Sequence, residues 1–454
     1  MKKILKHLMA PVLGATLVLS TVVPTIQAEE TATAPDISIW AIETLNEGEK
    51  YGIYPMEWYY DGFRTEASID RVNQLISLTE QKIASLQLPA NTEFQPVSIQ
   101  EDTTRGDIVN RLYNIVAQYD LPVGADPVAH MTERNILRGT GTGLALDKNA
   151  TTEDAVILAV RFIKDTYHLA GEGSKGVAWT VEDEDTLVYL LGSIHLGTPD
   201  LYPFNEKLLN AFEESEALLV EANVLDQAGM EYYLENAMFE EGTTLKDVVS
   251  EETFAKVEQV AEMYQIPLEQ LVMFQPWALS SDLAILSMDD SFGISPQEMS
   301  MHGIDMYFLL NAMLQGKPVI ELEGMQAQVD MFTGLSPEAQ EEVLVAALDS
   351  ILDPSTESEY DSLKEWFDYW KNGDVAAWTE SFNASVAEAN ATASEYDAML
   401  FGDRDEQMAQ KIATLLEEQE GTYFVVVGAG HFIVDKNIRY HLEQSGYTVE
   451  PLYQ

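Results

Sequence analysis

The chain has 454 residues, no cysteine, 76 acidic and 25 basic side chains, and a formal net charge of −51. Without cysteine it has neither a disulfide framework nor thiolate chemistry. So acidic a surface repels nucleic acid and anionic lipid, and the length exceeds one ordinary core, so two or three domains are expected.

The chain opens "MKKILKHLMAPVLGATLVLSTVVPTIQAEE". Lys2, Lys3 and Lys6 make a basic start, an apolar run follows, and small residues precede Glu29. This pattern predicts a signal peptide over residues 1–28 and a secreted, extracellular or cell-wall-associated protein. A retained membrane anchor is the other reading of the same run. No later stretch reaches the length of a spanning helix, so no stable membrane span is expected after processing.

A helix is expected over "IWAIETLNEGEKYG", ended by Gly52 and barred from continuing by Pro55. A second follows at "IDRVNQLISLTEQKIASL", where Ile69, Val72, Leu75 and Ile76 recur at helical spacing. Thr104 caps a third, with Asp107 three residues on. A glycine-rich turn, an Asp and another Thr-capped helix complete the pattern through "GTGTGLALDKNATTEDAVILAVRF". Residues 35 to 165 thereby resemble S-layer homology modules. Trp40-Ala41 fits the opening and Thr104-Arg105 the Thr-Arg step, whereas Thr152-Glu153 departs from it. The resemblance implies a small, mainly helical domain over 29–170, with cell-wall polysaccharide as its partner. A generic helical spacer is the alternative. His130 and His168 have no partner at metal-ligand spacing and read as surface or boundary residues. "AGEGSKG", residues 170–176, marks a domain boundary.

From residue 177 the pattern changes. "GVAWTVEDEDTLVYLLGSIHLG" reads as strand, acidic turn and strand, with Leu187 to Leu191 apolar throughout, as in a central strand. "NEKLLNAFEESEALLVEAN" gives a helix and an apolar strand ending at Glu221. Residues 227 to 300 read as an inserted helical subdomain. "PVIELE" and "TYFVVVGAGHF" are further strands, and "NIRYHLEQSGYTVEPLY" is a closing helix and strand. Alternating strands and helices predict an α/β (or α+β) fold over 177–454 with a central mixed sheet.

The layout resembles the TraB/GumN family, which includes the TIKI proteins. That family carries two Gly-x-x-His motifs after strands, matched here by Gly192 with His195 and Gly428 with His431, and an acidic residue matched by Glu221. "GIDMYFLLNA" and "GKPVIELEG" match the family's middle signature at Asp305 and Glu323. "GDRDEQMAQKI" keeps the arginine, Arg404, of an Arg-Asn helix start but has Asp405 where asparagine is usual, which weakens any hydrogen-bonding role assumed there.

His195, Glu221, Glu323 and His431 follow apolar strands, and function collects at carboxyl strand ends in α/β proteins. The glycines before each histidine are expected to let the backbone turn tightly and leave room for a ligand. Two imidazoles and one or two carboxylates suit zinc, manganese or cobalt, or one glutamate can serve as base to a metal-bound water. The family's TIKI members imply a metal-dependent hydrolase acting on a peptide or protein. Each residue also has a plainer reading. A strand-end histidine can simply bond a carbonyl. Glu221 needs a partner in its apolar setting, which a metal or Arg404 can supply. Of Glu321 and Glu323 one is expected to face inward, and the resemblance selects Glu323. Asp305 can cap a helix, and Arg404 can lie on a helix surface. His302 and His441 read as surface or packing residues. No HExxH, G-x-S-x-G or Walker A sequence is present. The expected function is therefore a secreted metal-dependent, peptidase-like hydrolase using His195, His431, Glu221, Glu323 and Arg404. A non-catalytic cell-surface protein that binds or sequesters a peptide or signal is the alternative, and a structural wall protein the third.

Overall fold

The computed structural model describes residues 34–139, 141, 143–286, 292–352, 357–389 and 395–453. The expected signal peptide lies outside the described residues. The described residues form two compact units: 34–174 with Pro199–Lys207, and Lys175–Thr198 with 208–453.

The first unit is helical. Its helices are Ile42–Glu49, Ile69–Ala84, Arg105–Ala117, Pro127–Glu133 and Thr152–Ala170. Four begin at a side chain that accepts an amide otherwise left orphaned: Ser68 from Arg71, Thr104 from Asp107, Asp126 from Ala129 and Thr151 from Asp154. Each such cap contributes about 1 kcal/mol. Thr152–Ala170 is the axis of this unit, with Val156, Ala159, Val160 and Ile163 buried. A side chain at Gly48 would run into Val160, so glycine there lets Ile42–Glu49 pack close. Arg105 is buried and pairs with Asp154 at 3.0 Å. Trp40, expected to open a module, is exposed.

The second unit is a mixed α/β domain around a six-stranded sheet. Its strands are β1 (Val177–Glu182), β2 (Thr186–Ser193), β3 (Ala217–Val220), β4 (Val319–Glu321), β5 (Gly421–Gly428) and β6 (Val449–Pro451), in the order β4-β3-β5-β2-β1-β6. β1 and β2 form an antiparallel hairpin, whose turn is held by the Asp183 carboxylate on the Thr186 amide at 2.9 Å. β4, β3, β5 and β2 run parallel. β3 leads on to β4 on one side and β5 to β6 on the other. The carboxyl ends of β3 and β5 are neighbours at this divergence, where α/β sheets leave a crevice.

Phe424 of β5 anchors the sheet core, with Phe308 4.9 Å and Phe212 5.6 Å from it between ring centres. A second core lies among helices. Pro276–Leu286 is almost wholly buried, so it needs neighbours all round. Val257, Leu271, Val329, Leu344 and Leu348 supply them, and Trp277 stacks on Phe332 at 5.4 Å. The helical cluster expected over 227–300 thus draws its core from Met325–Thr333 and Pro337–Leu352 as well.

Candidate functional site

β2 ends at Ser193, and His195 follows two residues later. Its Nδ1 lies 2.7 Å from Asp305 Oδ2, while the Ser193 hydroxyl donates to Asp305 Oδ1. Asp305 stands in the first turn of Ile304–Gln315, so its carboxylate orients an imidazole as well as sitting at a helix start. Two glycines allow the approach. A side chain at Gly303 would overlap the His195 carbonyl oxygen, and one at Gly197 would overlap the His302 carbonyl oxygen. The Gly197 amide donates to Met299 and the Ile304 amide to Ile194, both at 2.9 Å. Burial opposes charge on His195, but the Asp305 charge and hydrogen bond outweigh it. Glu221 adds to them and Arg404 subtracts, and the pKa rises to about 9. The same pair holds Asp305 below the usual carboxylate range against its own burial.

β5 ends at Gly428, and His431 lies in the helical turn Gly430–Ile433. The ring is fully buried, edge-on to Phe401 at 5.3 Å. Its Nδ1 lies 2.6 Å from Asp405 Oδ1. The substitution at 405 was expected to weaken hydrogen bonding at that position. The carboxylate instead accepts from the imidazole through one oxygen and from the Gly402 amide, at 3.1 Å, through the other.

Between these histidines lies an arginine-centred network. Arg404 Nε donates to Glu323 Oε1 at 2.7 Å, and one terminal nitrogen reaches Glu323 Oε2 at 2.6 Å and Glu221 Oε2 at 3.1 Å. The other terminal nitrogen donates to the Leu400 carbonyl. Gln328 donates to both glutamates, at 3.2 and 3.1 Å. Glu221 Oε1 accepts from the Gly428 amide at 2.6 Å, which ties the end of β3 to the end of β5. Burial pushes Glu323 up, but Arg404 and Gln328 bring its pKa below the normal value. Glu321, exposed, takes the Asn223 amide instead. Residues two apart share a side in a regular strand. These two separate because β4 stops at Glu321.

The structure therefore brings His195, Glu221, Glu323, Arg404 and His431 to one sheet edge. It does not make them a metal centre for zinc, manganese or cobalt. Among the described residues no group of three or more His, Cys, Asp or Glu side chains is disposed to hold a metal ion. The physical reason is Arg404: its guanidinium already occupies both oxygens of Glu323 and one of Glu221, which leaves too few free carboxylate oxygens to complete a metal's ligand shell. His195, with its raised pKa, keeps the proton a ligand must lose. The metal-dependent hydrolase expected from sequence, with water activated on that metal, loses its footing.

Two imidazole atoms remain. His195 Nε2 and His431 Nε2 are buried without a hydrogen-bond partner among the described residues, the latter 3.8 Å from Glu221 Oε1. Gly192 was expected to give a tight turn. It lies inside β2, where a side chain would collide with Val177 and Ala429 and where its carbonyl accepts the Trp370 indole at 2.7 Å. The other described histidines make different bonds. His130 is buried against Tyr113, and His168 pairs with Glu206 at 2.7 Å. His302 bonds the Glu298 carbonyl, and His441 lies edge-on to Tyr440. Sequence reasoning missed Ser193, Gln328 and the role of Asp405. Ser193 sits inside the first motif and was overlooked. Gln328 carries no signal, because nothing in a helix sequence says which distant carboxylate its face will meet.

A family model for the TraB/PrgY/gumN family matches residues 177–451. The chain is similar to the Uncharacterized protein YbaP of Escherichia coli strain K12, 26% identical over 251 residues, which is 55% of this chain and 85% of that protein. The protein of the same name from Shigella flexneri gives the same figures. No solved structure matches the chain.

Proposed function

This chain belongs to the TraB/PrgY/gumN family, and we propose that it binds or sequesters a peptide or peptide signal without cleaving it. One observation carries the reading: two buried imidazole Nε2 atoms stand at neighbouring strand ends with no hydrogen-bond partner among the described residues, each on a ring fixed through Nδ1 by a carboxylate. A peptide supplies both N–H and C=O groups, so a pre-fixed donor and acceptor suit it at little ordering cost. The glutamates and arginine support this frame rather than reacting, since their bonds are already made to one another.

The test is calorimetry of the full chain with pooled short peptides, followed by mass spectrometry of the recovered peptides. Saturable heat with intact masses is expected. Cleaved peptides would overturn the non-catalytic part of the reading, and no heat would overturn binding.

The setting we propose is the cell exterior, from the basic and apolar start of the chain. The repeated cap-and-acid helix starts at Ser68, Thr104 and Thr151 support a wall-binding, S-layer-homology-like role for the first unit. Sedimentation of the full chain with purified cell wall, and its loss on deleting residues 34–170, tests that role. Among the described residues no helix is long and apolar enough to cross a membrane.

A further inference from the structure

We infer that the group recognised at the carboxyl ends of β3 and β5 is a cation of one kind, the free ammonium at a peptide's amino terminus, held between Glu221 Oε1 and His431 Nε2. This deepens the peptide-binding reading and rests on it.

The first argument is charge. The cluster contains four carboxylates: Asp305, Asp405, Glu221 and Glu323. Against them stand Arg404, His195 and His431. Were both rings protonated, three positive charges would face four negative ones, leaving a net charge of −1, and any neutral ring makes it more negative. A buried site with net negative charge rejects an anion and favours a cation.

The second argument is which atoms still have capacity. Glu323 accepts through both oxygens, and Glu221 Oε2 accepts from Arg404 and Gln328. Glu221 Oε1 accepts from Gly428, and a carboxylate oxygen has room for a second donor. His431 Nε2 lies 3.8 Å from that oxygen, buried and without a hydrogen-bond partner among the described residues. With Nδ1 donating to Asp405, a neutral His431 ring presents Nε2 as an acceptor. Two acceptors at this separation suit one donor group with several N–H bonds, which an ammonium has and a backbone amide lacks.

The third argument is access. His195, Asp305 and Glu323 keep 14%, 21% and 10% of their side-chain surface exposed, whereas His431 and Asp405 keep none. The chain beyond the ammonium would leave past His195 and Asp305, the members of this set whose side chains keep the most exposure. The acidic surface, with a formal net charge of −51, attracts the same sign of ligand.

The test uses one pool of random heptapeptides prepared twice, with free amino termini and with acetylated ones. The immobilised full chain is washed in salt that screens diffuse charge, and retained peptides are counted by mass spectrometry. At least tenfold greater retention of the free-amine pool is expected, with the preference lost in His431→Ala. Equal retention of both pools overturns ammonium recognition but leaves peptide binding standing. Retention of neither overturns both. If His431→Ala does not fold, ethylamine is added to the wild type as a competitor. Displacement of bound peptides supports the inference, and no displacement overturns it.

Discussion

Asp405 Oδ1 lies 2.6 Å from His431 Nδ1, and both side chains are completely buried. The neighbouring residue, Arg404, collects Glu221 and Glu323. One helix start thus orients a histidine and neutralises two strand-end carboxylates at once. Asp405→Ala leaves the buried imidazole N–H without an acceptor. It should cost about 1–3 kcal/mol. Asp405→Asn retains an acceptor oxygen and should cost less. Urea unfolding of the two variants checks this, and equal losses would show that the negative charge of Asp405, rather than an acceptor oxygen, is what the His431 ring requires.

Arg404→Met leaves Glu221 and Glu323 buried without a counter-charge. Breaking a buried pair from one side costs about 3–5 kcal/mol. The loss should depend on pH. Glu323 has a depressed pKa in the folded chain, so its contribution is present above the ordinary glutamate value and fades as pH falls through the depressed one. The stability gap between wild type and variant should therefore be widest near neutrality and narrow on acidification. A gap constant with pH would separate Arg404 from the ionisation of Glu323.

His195 should titrate near pH 9, well above an ordinary histidine. A group whose pKa is raised by folding stabilises fully below its unfolded value, about 6.5, and that contribution is lost as pH rises through the folded value. Stability should thus decline between roughly pH 6.5 and 9 in the wild type. Asp305→Asn removes the main raising influence and leaves burial, so the His195 pKa should fall and the decline should vanish. Histidine ring signals in NMR across this range decide the matter.

Gly303→Ala forces a methyl group into the His195 carbonyl oxygen. Overpacking of this kind costs about 1–3 kcal/mol. The displaced loop should also lengthen the His195–Asp305 bond, so the same variant should lower the His195 pKa. Loss of stability with an unchanged titration would mean that the loop yields elsewhere.

Zinc, manganese or cobalt added in salt should produce no thermal stabilisation that His195→Ala or His431→Ala abolishes. Arg404 already occupies both oxygens of Glu323 and one of Glu221, so too few carboxylate oxygens remain to ligate a metal. A one-to-one site lost in both histidine variants would restore the metal reading.

Much of the local structure was legible. The helix expected at Ile69 runs Ile69–Ala84, and the cap expected at Thr104 is made. The acidic turn after Glu182 closes a hairpin, and the apolar run Leu187–Leu191 lies in a strand flanked on both sides. These features depend on residues within one or two turns of each other, so periodicity and capping suffice to read them. Where reading went astray, the deciding partner was remote. Gly192 looked like a turn residue, yet Val177 and Ala429 decide that it must lack a side chain. Asp405 looked like a weakened position until His431 was placed against it.

By itself the sequence determined that strands alternate with helices after residue 177, and that chemistry-bearing residues follow those strands. It could not determine what the residues do to one another. Glu221 and Arg404 are 183 positions apart, Glu221 and Gly428 are 207, and His195 and Asp305 are 110. Only the order β4-β3-β5-β2 makes them neighbours. Two imidazoles and two glutamates have the composition of a metal site, but one buried arginine between the carboxylates reverses that meaning. A charge acts through distance in space, and separation along the chain does not carry it.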